Sequence, residues 1–582
     1  MDNIKKILKL LSKKQKVNLA VLIVMTAFGT ALELLGISAI MPFVELITNP
    51  QELNGDGFVA EIYRMLGSIP YNMFLIFLLL VLIAIYLFKN AYLIILYNFQ
   101  YKFTYDNQRK LEDELLESYL YQDYSFHLKH NSAELQRNIL QDVMGVVHTV
   151  LSYLQLLTEG SVCVIIFIYL LYLDKSITLG VVIILGLVFL GFNVFFKEKV
   201  KVIGEESRKS SALRVQWVQQ SLGGIKEVKI LGREKFFYDH YDENAAIYAE
   251  KQRKYQLSTT APRPLMEAAG ISALLFIIGI KLYIGVSATY FLPTLSTFAV
   301  AAFRILPSFG RVSGCIGAIS FQKSAVNEVY EGIQHAKELQ KSNSNQLEQE
   351  KDFIFENSIE INQMTFSYPE TDKVILKNVD LKIEKNQSVA FIGPSGAGKT
   401  TLVDIILGIL KPLTGGVYVD DRNIEENLQG WHQKIGYIPQ SIYLMDDTVR
   451  KNIALGINDE DIDEDRIWEV LREVQLYDFV RNMEQGVDTF IGEGGVRLSG
   501  GQRQRIGIAR ALYHNPEVLV LDEATSALDS ETETAIMEAI NHLHGSKTIL
   551  IIAHRLTTIR NCDVIYQVKD MKVIETTLDK EE

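Results

Sequence analysis

Long apolar stretches in the first 320 residues constrain the fold of this chain more than any other feature. Six stretches come close to the roughly 20 residues that a helix needs to cross a hydrocarbon core. They lie near residues 17–47, 72–98, 142–173, 177–196, 266–286 and 291–319. So many apolar stretches in so short a region are not typical of buried helices in a water-soluble protein. The sequence therefore predicts a domain of six transmembrane helices.

Basic residues assign the two sides of the membrane, because Lys and Arg collect in cytoplasmic loops. The loops 99–140 and 197–260 are long and basic, whereas the loop 45–71 is acidic. We therefore expect a multi-pass protein of the cell (inner) membrane with both termini in the cytoplasm. The two basic loops are long enough for the membrane helices to continue into the cytoplasm. Short helices near 121–127 and 221–228 are expected to touch a second domain there.

A short segment of the acidic outer loop, residues 57–67, has its own pattern. Its apolar residues recur at helical spacing, namely Phe58, Val59, Ile62, Met65 and Leu66. The pattern favours a helix on the bilayer surface with one face in the lipid. A loop helix packed on its neighbours has the same pattern, and both interpretations stay open.

Charged residues within or beside the apolar stretches are candidates for a substrate site, because ionisable groups are costly in a membrane. They are Glu33, Lys89, Glu159, Arg263, Glu267, Arg304 and Arg311. Arg263 and Glu267 are four residues apart and can pair with each other, while Lys89 can extend to the interface. Arg304 and Arg311 lie two turns apart on one helix and favour an anionic group such as phosphate. Arg–Glu pairs across the bundle would give the same sequence.

A polar segment, 336–352, lacks an apolar period and separates two domains. We expect the membrane domain at 1–335 and a domain with the composition of a soluble α/β protein at 353–582. The net charge is −12, and the three cysteines have no metal-ligand spacing. The sequence thus predicts no zinc site, haem site or thiol catalyst.

The first functional motif of the second domain is a glycine-rich segment, Gly393–Thr400. It follows the apolar run Ser388–Ile392 and precedes a predicted helix over Thr401–Leu410. In that context its backbone N–H groups and the helix N-terminus cradle phosphates. Lys399 is then expected to reach the β- and γ-phosphates of a nucleotide, and Thr400 to bind Mg²⁺. The predicted ATP-binding residues are Gly393, Pro394, Ser395, Gly396, Ala397, Gly398, Lys399, Thr400 and Thr401.

Further polar groups follow apolar strands, where open α/β sheets place their ligands. Asp522 and Glu523 end the buried strand Val518–Leu521, and are suited to hold Mg²⁺ through water and to orient the attacking water. Gln440 and His554 each follow a predicted strand, and Tyr368 could stack on adenine or be a half-buried strand residue. A second anion site is predicted where a helix begins, at Leu498, Ser499, Gly500, Gly501 and Gln502.

These motifs occur in the order seen in ATP-binding cassette domains, and the chain resembles that family over about 350–575. Tyr368, Gln440, Leu498–Gln502 and His554 look like its A-loop, Q-loop, signature and switch histidine. Ser526 and Asp529 look like the ends of its D-loop. The resemblance implies an ATP hydrolase that uses ATP and Mg²⁺, with Glu523, His554 and Gln440 as catalytic residues. Thr400, Gln440 and Asp522 are the implied Mg²⁺ ligands.

One such domain after six membrane spans looks like a half-size ABC exporter of the type IV class. The implied fold is an α-helical six-span domain with long cytoplasmic extensions, fused to an α/β P-loop ATPase. In this class the signature of one chain completes the ATP site of another, so the resemblance implies a homodimer. A cassette ATPase that acts on nucleic acid is disfavoured by the apolar spans and the acidic balance.

The membrane domain resembles the bacterial lipid-linked oligosaccharide flippases of protein glycosylation, the PglK type. The matching segments are short, namely 33–43, 261–263 and 304–307. The resemblance implies ATP-driven flipping of an anionic lipid, a polyprenyl-pyrophosphate-linked oligosaccharide, to the outer leaflet. Lys89, Arg263, Arg304 and Arg311 are the implied substrate residues, although Lys89 stands where an arginine is expected. The alternative is export of another lipid, a peptide or a drug.

Overall fold

The parts of the chain that the structure describes cover most of both predicted domains. The structure is a computed structural model, and it describes residues 2–40, 43, 46–47, 50, 58–67, 70–283, 288–344, 353–369, 371, 373–522, 538, 540, 542–553, 559 and 561–577. Among the residues outside these ranges are four of the predicted site residues, namely Glu523, Ser526, Asp529 and His554.

The chain divides into two compact units, and each unit consists of two separate segments of the chain. The first unit comprises Met1–Gln122 and His130–Leu339, and the second comprises Asp123–Lys129 and Gln340–Glu582. Seven residues from the first of the two basic loops thus belong to the second unit.

Helices make up the described part of the chain before the second domain. They are α1 (Asp2–Leu10), α2 (Lys13–Ser38), α3 (Phe58–Met65), α4 (Tyr71–Leu120), α5 (Tyr124–Lys129), α6 (Ser132–Arg137), α7 (Val143–Leu173), α8 (Lys175–Gly223), α9 (Ile225–Leu231), α10 (Glu234–Thr260), α11 (Pro262–Tyr283), α12 (Ala288–Phe321) and α13 (Lys323–Ser344). Helix α13 runs through the first half of the polar segment 336–352, so this part of the predicted boundary between the domains is helical.

Five helical segments within the described residues are long and apolar enough to cross a membrane. They are Lys13–Gly36, Tyr71–Leu120, Ser132–Leu173, Lys175–Gly223 and Glu234–Ile280. The sixth predicted stretch, 291–319, lies in α12. Since α4 has 50 residues and α8 has 49, each is about 75 Å long at 1.5 Å per residue. Such helices extend well beyond a hydrocarbon core of about 30 Å.

The predicted outer-loop helix is formed as α3. Its Ala60 is buried, and Ile62 and Tyr63 pack against Leu46 and Phe74. Met65, by contrast, is 83% exposed. The helix therefore combines a packed face with an exposed apolar end.

A polar network joins three helices of the first unit at a π-helical turn, Asn138–Asp142. The carboxylate of Asp142 accepts a hydrogen bond from Arg208 at 3.0 Å, and Arg208 also donates to Glu328 at 3.0 Å. Asn138 in the turn donates to the hydroxyl of Tyr119 at 3.1 Å. The widened turn thus supplies polar groups to α4, α8 and α13 at one point.

The second unit contains two sheets. Its strands are β1 (Ser358–Ser367), β2 (Val374–Glu384), β3 (Ser388–Ile392), β4 (Thr414–Val419), β5 (Arg422–Asn423), β6 (Ile435–Ile438), β7 (Val518–Asp522), β8 (Thr548–Ile552), β9 (Val564–Lys569) and β10 (Lys572–Thr576). The first sheet is antiparallel in the order β2-β1-β4-β5, and the second has the order β10-β9-β3-β8-β7-β6. In the second sheet β9, β3, β8, β7 and β6 are parallel.

Helices accompany these strands. Those of four residues or more within the described part of the second unit are α5 and α14 (Lys399–Ile406), α15 (Leu428–Gln433), α16 (Val449–Ile453), α17 (Glu464–Glu473), α18 (Tyr477–Arg481) and α19 (Gly500–Tyr513). Every residue of β7 and β8 is buried, because a parallel sheet is covered on both faces and its strands are apolar throughout. The carboxyl ends of β3, β7 and β6 consequently meet at one edge.

Candidate functional site

The glycine loop, Gly393–Thr400, connects β3 to α14 in a conformation that requires glycine. Gly393, Gly396 and Gly398 have φ values of 146°, 77° and 103°, which side chains rarely adopt. A Cβ atom on Gly393 would lie 2.2 Å from the carbonyl oxygen of Val568. The loop therefore brings its backbone close to a neighbouring strand and directs it around a concave turn, as a phosphate cradle needs.

Lys399 is the first residue of α14 and is 5% exposed. Its ammonium group donates hydrogen bonds to the carbonyl oxygens of Gly393 at 2.9 Å and Pro394 at 3.2 Å. The charge is thus held directly over the loop. A phosphate oxygen is a stronger acceptor than these neutral carbonyls, because it carries negative charge and both partners of the hydrogen bond are then ionised.

Tyr368 follows β1 and lies near the glycine loop. Its hydroxyl hydrogen-bonds the hydroxyl of Thr401 at 2.9 Å, in the first turn of α14. Its ring packs edge-on against Phe366, with centroids 5.1 Å apart. These two contacts fix a partly buried aromatic ring beside the predicted phosphate cradle.

Asp522 ends β7 at the same sheet edge and is 7% exposed. Tyr437 on the neighbouring strand β6 makes a side-chain hydrogen bond with it. Burial and the charge of Asp522 raise the pKa of Asp404, on α14, to about 6. Burial and the same two carboxylates also raise the pKa of Tyr437. Neither Asp404 nor Tyr437 stands out in the sequence, because each lies inside an apolar segment.

A magnesium ion fits this donor set. Mg²⁺ prefers hard oxygen ligands and is usually held by one or two carboxylates together with phosphates. Asp522 supplies a buried carboxylate, and Thr400 is the second residue of α14, directly after Lys399. Gln440 lies two residues beyond the end of β6, at the same edge. The described residues therefore bring three of the predicted nucleotide-site elements to one side of the sheet.

The predicted signature, Leu498–Gln502, is built around the start of α19. Ser499 caps the helix: its hydroxyl accepts from the N–H of Gln502 at 3.2 Å, while its own N–H donates to the Gln502 side chain at 2.9 Å. This capping box satisfies two backbone donors reciprocally. Ser499 and Gly500 are exposed, and a Cβ on Gly500 would meet no atom within 4 Å. The N-terminus of α19 is therefore open to an approaching anion.

A second group of charges lies in the membrane domain and forms what we name the membrane charge cluster: Glu33, Lys89, Glu159, Arg304, Ser308 and Arg311. Lys89 pairs with Glu33 at 3.2 Å. Arg304 bridges Glu33 and Glu159 at 3.3 Å each, and Arg311 pairs with Glu159 at 2.7 Å. Of the two readings that the sequence left open, Arg–Glu pairs across the bundle are formed.

The composition of the membrane charge cluster leaves its cations in excess. Three cationic side chains share two carboxylates, and both carboxylates are less than 10% exposed. The side chain of Arg311 is 50% exposed, compared with 23% for Arg304 and 10% for Lys89. The excess positive charge is consequently accessible at Arg311.

Arg263, from the predicted set, and Ser308, from outside it, also lie in this region. Arg263 is exposed, and a Cβ on Gly310 would lie 2.8 Å from its Cβ, so it packs beside the helix that carries Arg311. Among the described ion pairs none joins Arg263 to Glu267. Ser308 was not predicted: it is fully buried and donates to Glu159 at 2.6 Å. Its position one turn after Arg304 was the available signal.

Two family models match the chain, one in each domain. The ABC transporter transmembrane region matches residues 18–300, and the ABC transporter domain matches residues 376–526. Together they account for about three quarters of the chain. The chain belongs to the ABC transporters. The transporter thus joins a membrane region to an ATPase domain, and hydrolyses ATP to drive transport.

Similar proteins agree with this assignment. The transporter is 29% identical over 485 residues to a protein of Staphylococcus aureus (strain bovine RF122 / ET3-1) named for multidrug export as an ATP-binding/permease protein, covering 82% of each chain. A protein of the same description from strain NCTC 8325 / PS 47 is 28% identical with the same coverage. A bacterial Atm1-family ABC exporter solved with ATP bound superimposes with a TM-score of 0.71 at 21% identity, covering 96% of this chain and 94% of that chain. At 21% identity, the likeness to this solved structure shows a shared fold.

Proposed function

We propose that the transporter flips a polyprenyl-pyrophosphate-linked oligosaccharide from the cytoplasmic to the outer leaflet of the cell membrane. The observation that carries the proposal is the membrane charge cluster, with three cations for two carboxylates and an accessible Arg311. Charged groups in a membrane domain are costly and are kept for substrates or coupling. Arginine guanidinium groups bind phosphate oxygens in pairs. A lipid with an anionic diphosphate head meets both conditions.

ATP hydrolysis would proceed at an interface between two copies of the chain. The glycine loop and Lys399 would bind the phosphates in one copy, and Ser499 and Gly501 of the other copy would close over them. Glu523 would orient the attacking water, with His554 and Gln440 beside it. Mg²⁺, held by Thr400, Gln440 and Asp522, would neutralise phosphate charge. Tyr368 would stack on the adenine ring. A homodimer with two such sites follows from one cassette per chain.

Closure of that interface would be passed to the membrane helices through α5 and α9. With both termini in the cytoplasm, these short helices lie in the two cytoplasmic loops. Exposed apolar residues on and beside α9 give it a surface to bind: Leu222, Ile225, Ile230 and Leu231. Hydrolysis would reopen the interface. The interface would thus have two states, a closed one favoured by ATP and an open one favoured by its products.

Export of drugs, or of another lipid or peptide, is the second candidate. It is favoured by the names of the two Staphylococcus aureus relatives, which refer to multidrug export. A pocket for uncharged or cationic drugs has no use for an excess of cations at its wall, whereas an anionic head does. The two functions therefore differ in what they require of Arg311.

The test uses the purified transporter in proteoliposomes that contain ATP and a fluorescent undecaprenyl-diphosphate glycan. Wild-type protein is expected to move the lipid between leaflets and to increase its ATPase rate when the lipid is present. Arg311→Gln is expected to lose both responses, while Lys102→Gln, which alters an exposed lysine on α4, retains them. Lipid-independent ATPase activity together with stimulation by drugs in both wild type and Arg311→Gln would favour the drug exporter and overturn the proposal.

A further inference from the structure

Glu159 is the most heavily shared group of the membrane charge cluster. Arg311 donates to its carboxylate through Nη2 at 3.3 Å, and its Nε forms an ion pair with the other carboxylate oxygen at 2.7 Å. Arg304 donates through Nη1 at 3.3 Å and Ser308 through its hydroxyl at 2.6 Å. Both arginines proposed for the substrate therefore already hold a carboxylate. An anion that approaches the N–H groups of Arg311 turned toward Glu159 therefore competes with this carboxylate for them.

The two arginines differ in what such an exchange would leave behind. Arg304 also binds Glu33, at 3.3 Å through Nε and 3.4 Å through Nη2. If Arg304 turned to a ligand, two buried carboxylates would each lose a partner, which is unfavourable because buried charges need compensation. If Arg311 turned away, Glu159 would keep Arg304 and Ser308. Arg311 is also the more exposed of the two, at 50% against 23%.

We propose that Glu159 is an exchangeable counter-ion and that Arg311, rather than Arg304, takes the diphosphate of the substrate. The proposal rests on the proposed function. When the diphosphate arrives, Arg311 leaves the Glu159 carboxylate, which stays bonded to Arg304 and Ser308. When Arg311 returns to Glu159, the diphosphate loses its partner and is released. Glu159 thus lowers the affinity for the anion and makes release possible, while Arg304 positions both carboxylates.

This arrangement makes two variants change affinity in opposite directions. Glu159→Gln keeps the shape of the side chain and removes the competing charge, so the anion is expected to bind about tenfold more tightly, the effect of one charge-assisted hydrogen bond. Ser308→Ala removes a partner that Glu159 would need after the exchange, so the carboxylate should hold Arg311 more firmly and the anion should bind several-fold more weakly. A scaffold role for Glu159 would weaken binding in both variants.

The experiment measures equilibrium binding of radiolabelled farnesyl diphosphate to the full-length transporter in nanodiscs, with unlabelled farnesol and inorganic pyrophosphate as competitors. Wild type should bind the diphosphate and ignore farnesol, Glu159→Gln should bind it more tightly and release it more slowly, and Ser308→Ala should bind it more weakly. Arg311→Gln should lose binding, Arg304→Lys, which keeps the charge but cannot bridge both carboxylates, should only weaken it, and Lys102→Gln, which lies outside the cluster, should retain it. Competition by pyrophosphate would identify the anion itself as the determinant, and its absence would show that the prenyl chain is also required; both agree with the exchange.

Two results would overturn the proposal in distinguishable ways. If wild type binds farnesyl diphosphate and Glu159→Gln binds it equally or more weakly, the counter-ion role is wrong while the proposed function stands. If neither wild type nor Glu159→Gln binds the diphosphate, the proposed function fails and the exchange falls with it. Thermal unfolding of each variant in the same nanodiscs separates lost binding from lost folding.

Discussion

The carboxyl group of Asp404 destabilises the folded protein when it ionises, and the isosteric change Asp404→Asn should remove this effect. Burial and the nearby Asp522 raise the pKa of Asp404 from 3.8 to about 6. A raised pKa in the folded state means that the folded protein holds this proton more tightly than the unfolded chain. The carboxyl group therefore destabilises the fold once it must ionise, with no effect below about pH 4 and the full effect above about pH 6.

The size of the effect follows from the shift. A displacement of about two pKa units corresponds to about 3 kcal/mol, and solvent access to a partly buried group lowers this to about 1–2 kcal/mol. Asn has nearly the same shape and carries no charge. Asp404→Asn is thus expected to raise the melting temperature of the ATPase domain at pH 8 by about 3–6 °C, and by roughly half of that at pH 5.

The assay is thermal unfolding of the full-length transporter in detergent, without nucleotide and with EDTA, followed by tryptophan fluorescence. Two of the three tryptophans, Trp431 and Trp468, lie in the ATPase domain. The indole of Trp431 donates to the carbonyl oxygen of Ile406 at 2.9 Å, so its emission reports on the helix that carries Asp404. Asp465→Asn, which alters an exposed carboxylate, is the matched control and should leave the transition unchanged. A gain that is the same at pH 5 and pH 8, or a loss of stability, would refute the reasoning.

Two further predictions concern catalysis and packing. Lys399→Ala and Glu523→Gln are both expected to abolish transport. The first should weaken nucleotide binding, and the second should stop hydrolysis while nucleotide binding persists. Unchanged ATP turnover in Glu523→Gln would contradict the catalytic role of Glu523. Gly204→Ala is expected to lower the melting temperature, because the added Cβ would lie 2.2 Å from the carbonyl oxygen of Phe321 and overpacking costs about 1–3 kcal/mol. Gly223→Ala, where no atom lies within 4 Å, serves as its control, and equal melting temperatures of the two variants would contradict the close approach of α8 and α12.

Sequence patterns predicted the features that depend on local chemistry. The apolar stretches led to long helices because a membrane requires internal backbone hydrogen bonds. The glycine loop followed from the spacing of Gly393, Gly398 and Lys399, and the start of α19 from Ser499 and the two glycines after it. In each case residues near one another in the chain determine the local structure.

The remaining features depend on residues that are distant in the chain. The charges of the membrane cluster were visible, but no local pattern says that Arg304 meets both Glu33 and Glu159, which are 271 and 145 residues away. Ser308 and Asp404 resemble ordinary helix residues until the fold surrounds them. The helical part of the segment 336–352 was hidden for a different reason: a polar helix and a flexible linker have similar compositions.

The placement of α5 in the second unit has a consequence for folding during synthesis. Residues 123–129 are made more than 200 residues before Gln340, where the rest of their unit begins. At about 5–20 residues per second, the ribosome needs about 10–40 s to reach that point, and longer to complete β8 and β9. During this time α5 cannot join the rest of its unit. The second unit is therefore assembled from segments that are made at widely separated times, and a fragment that starts at residue 340 would lack residues 123–129.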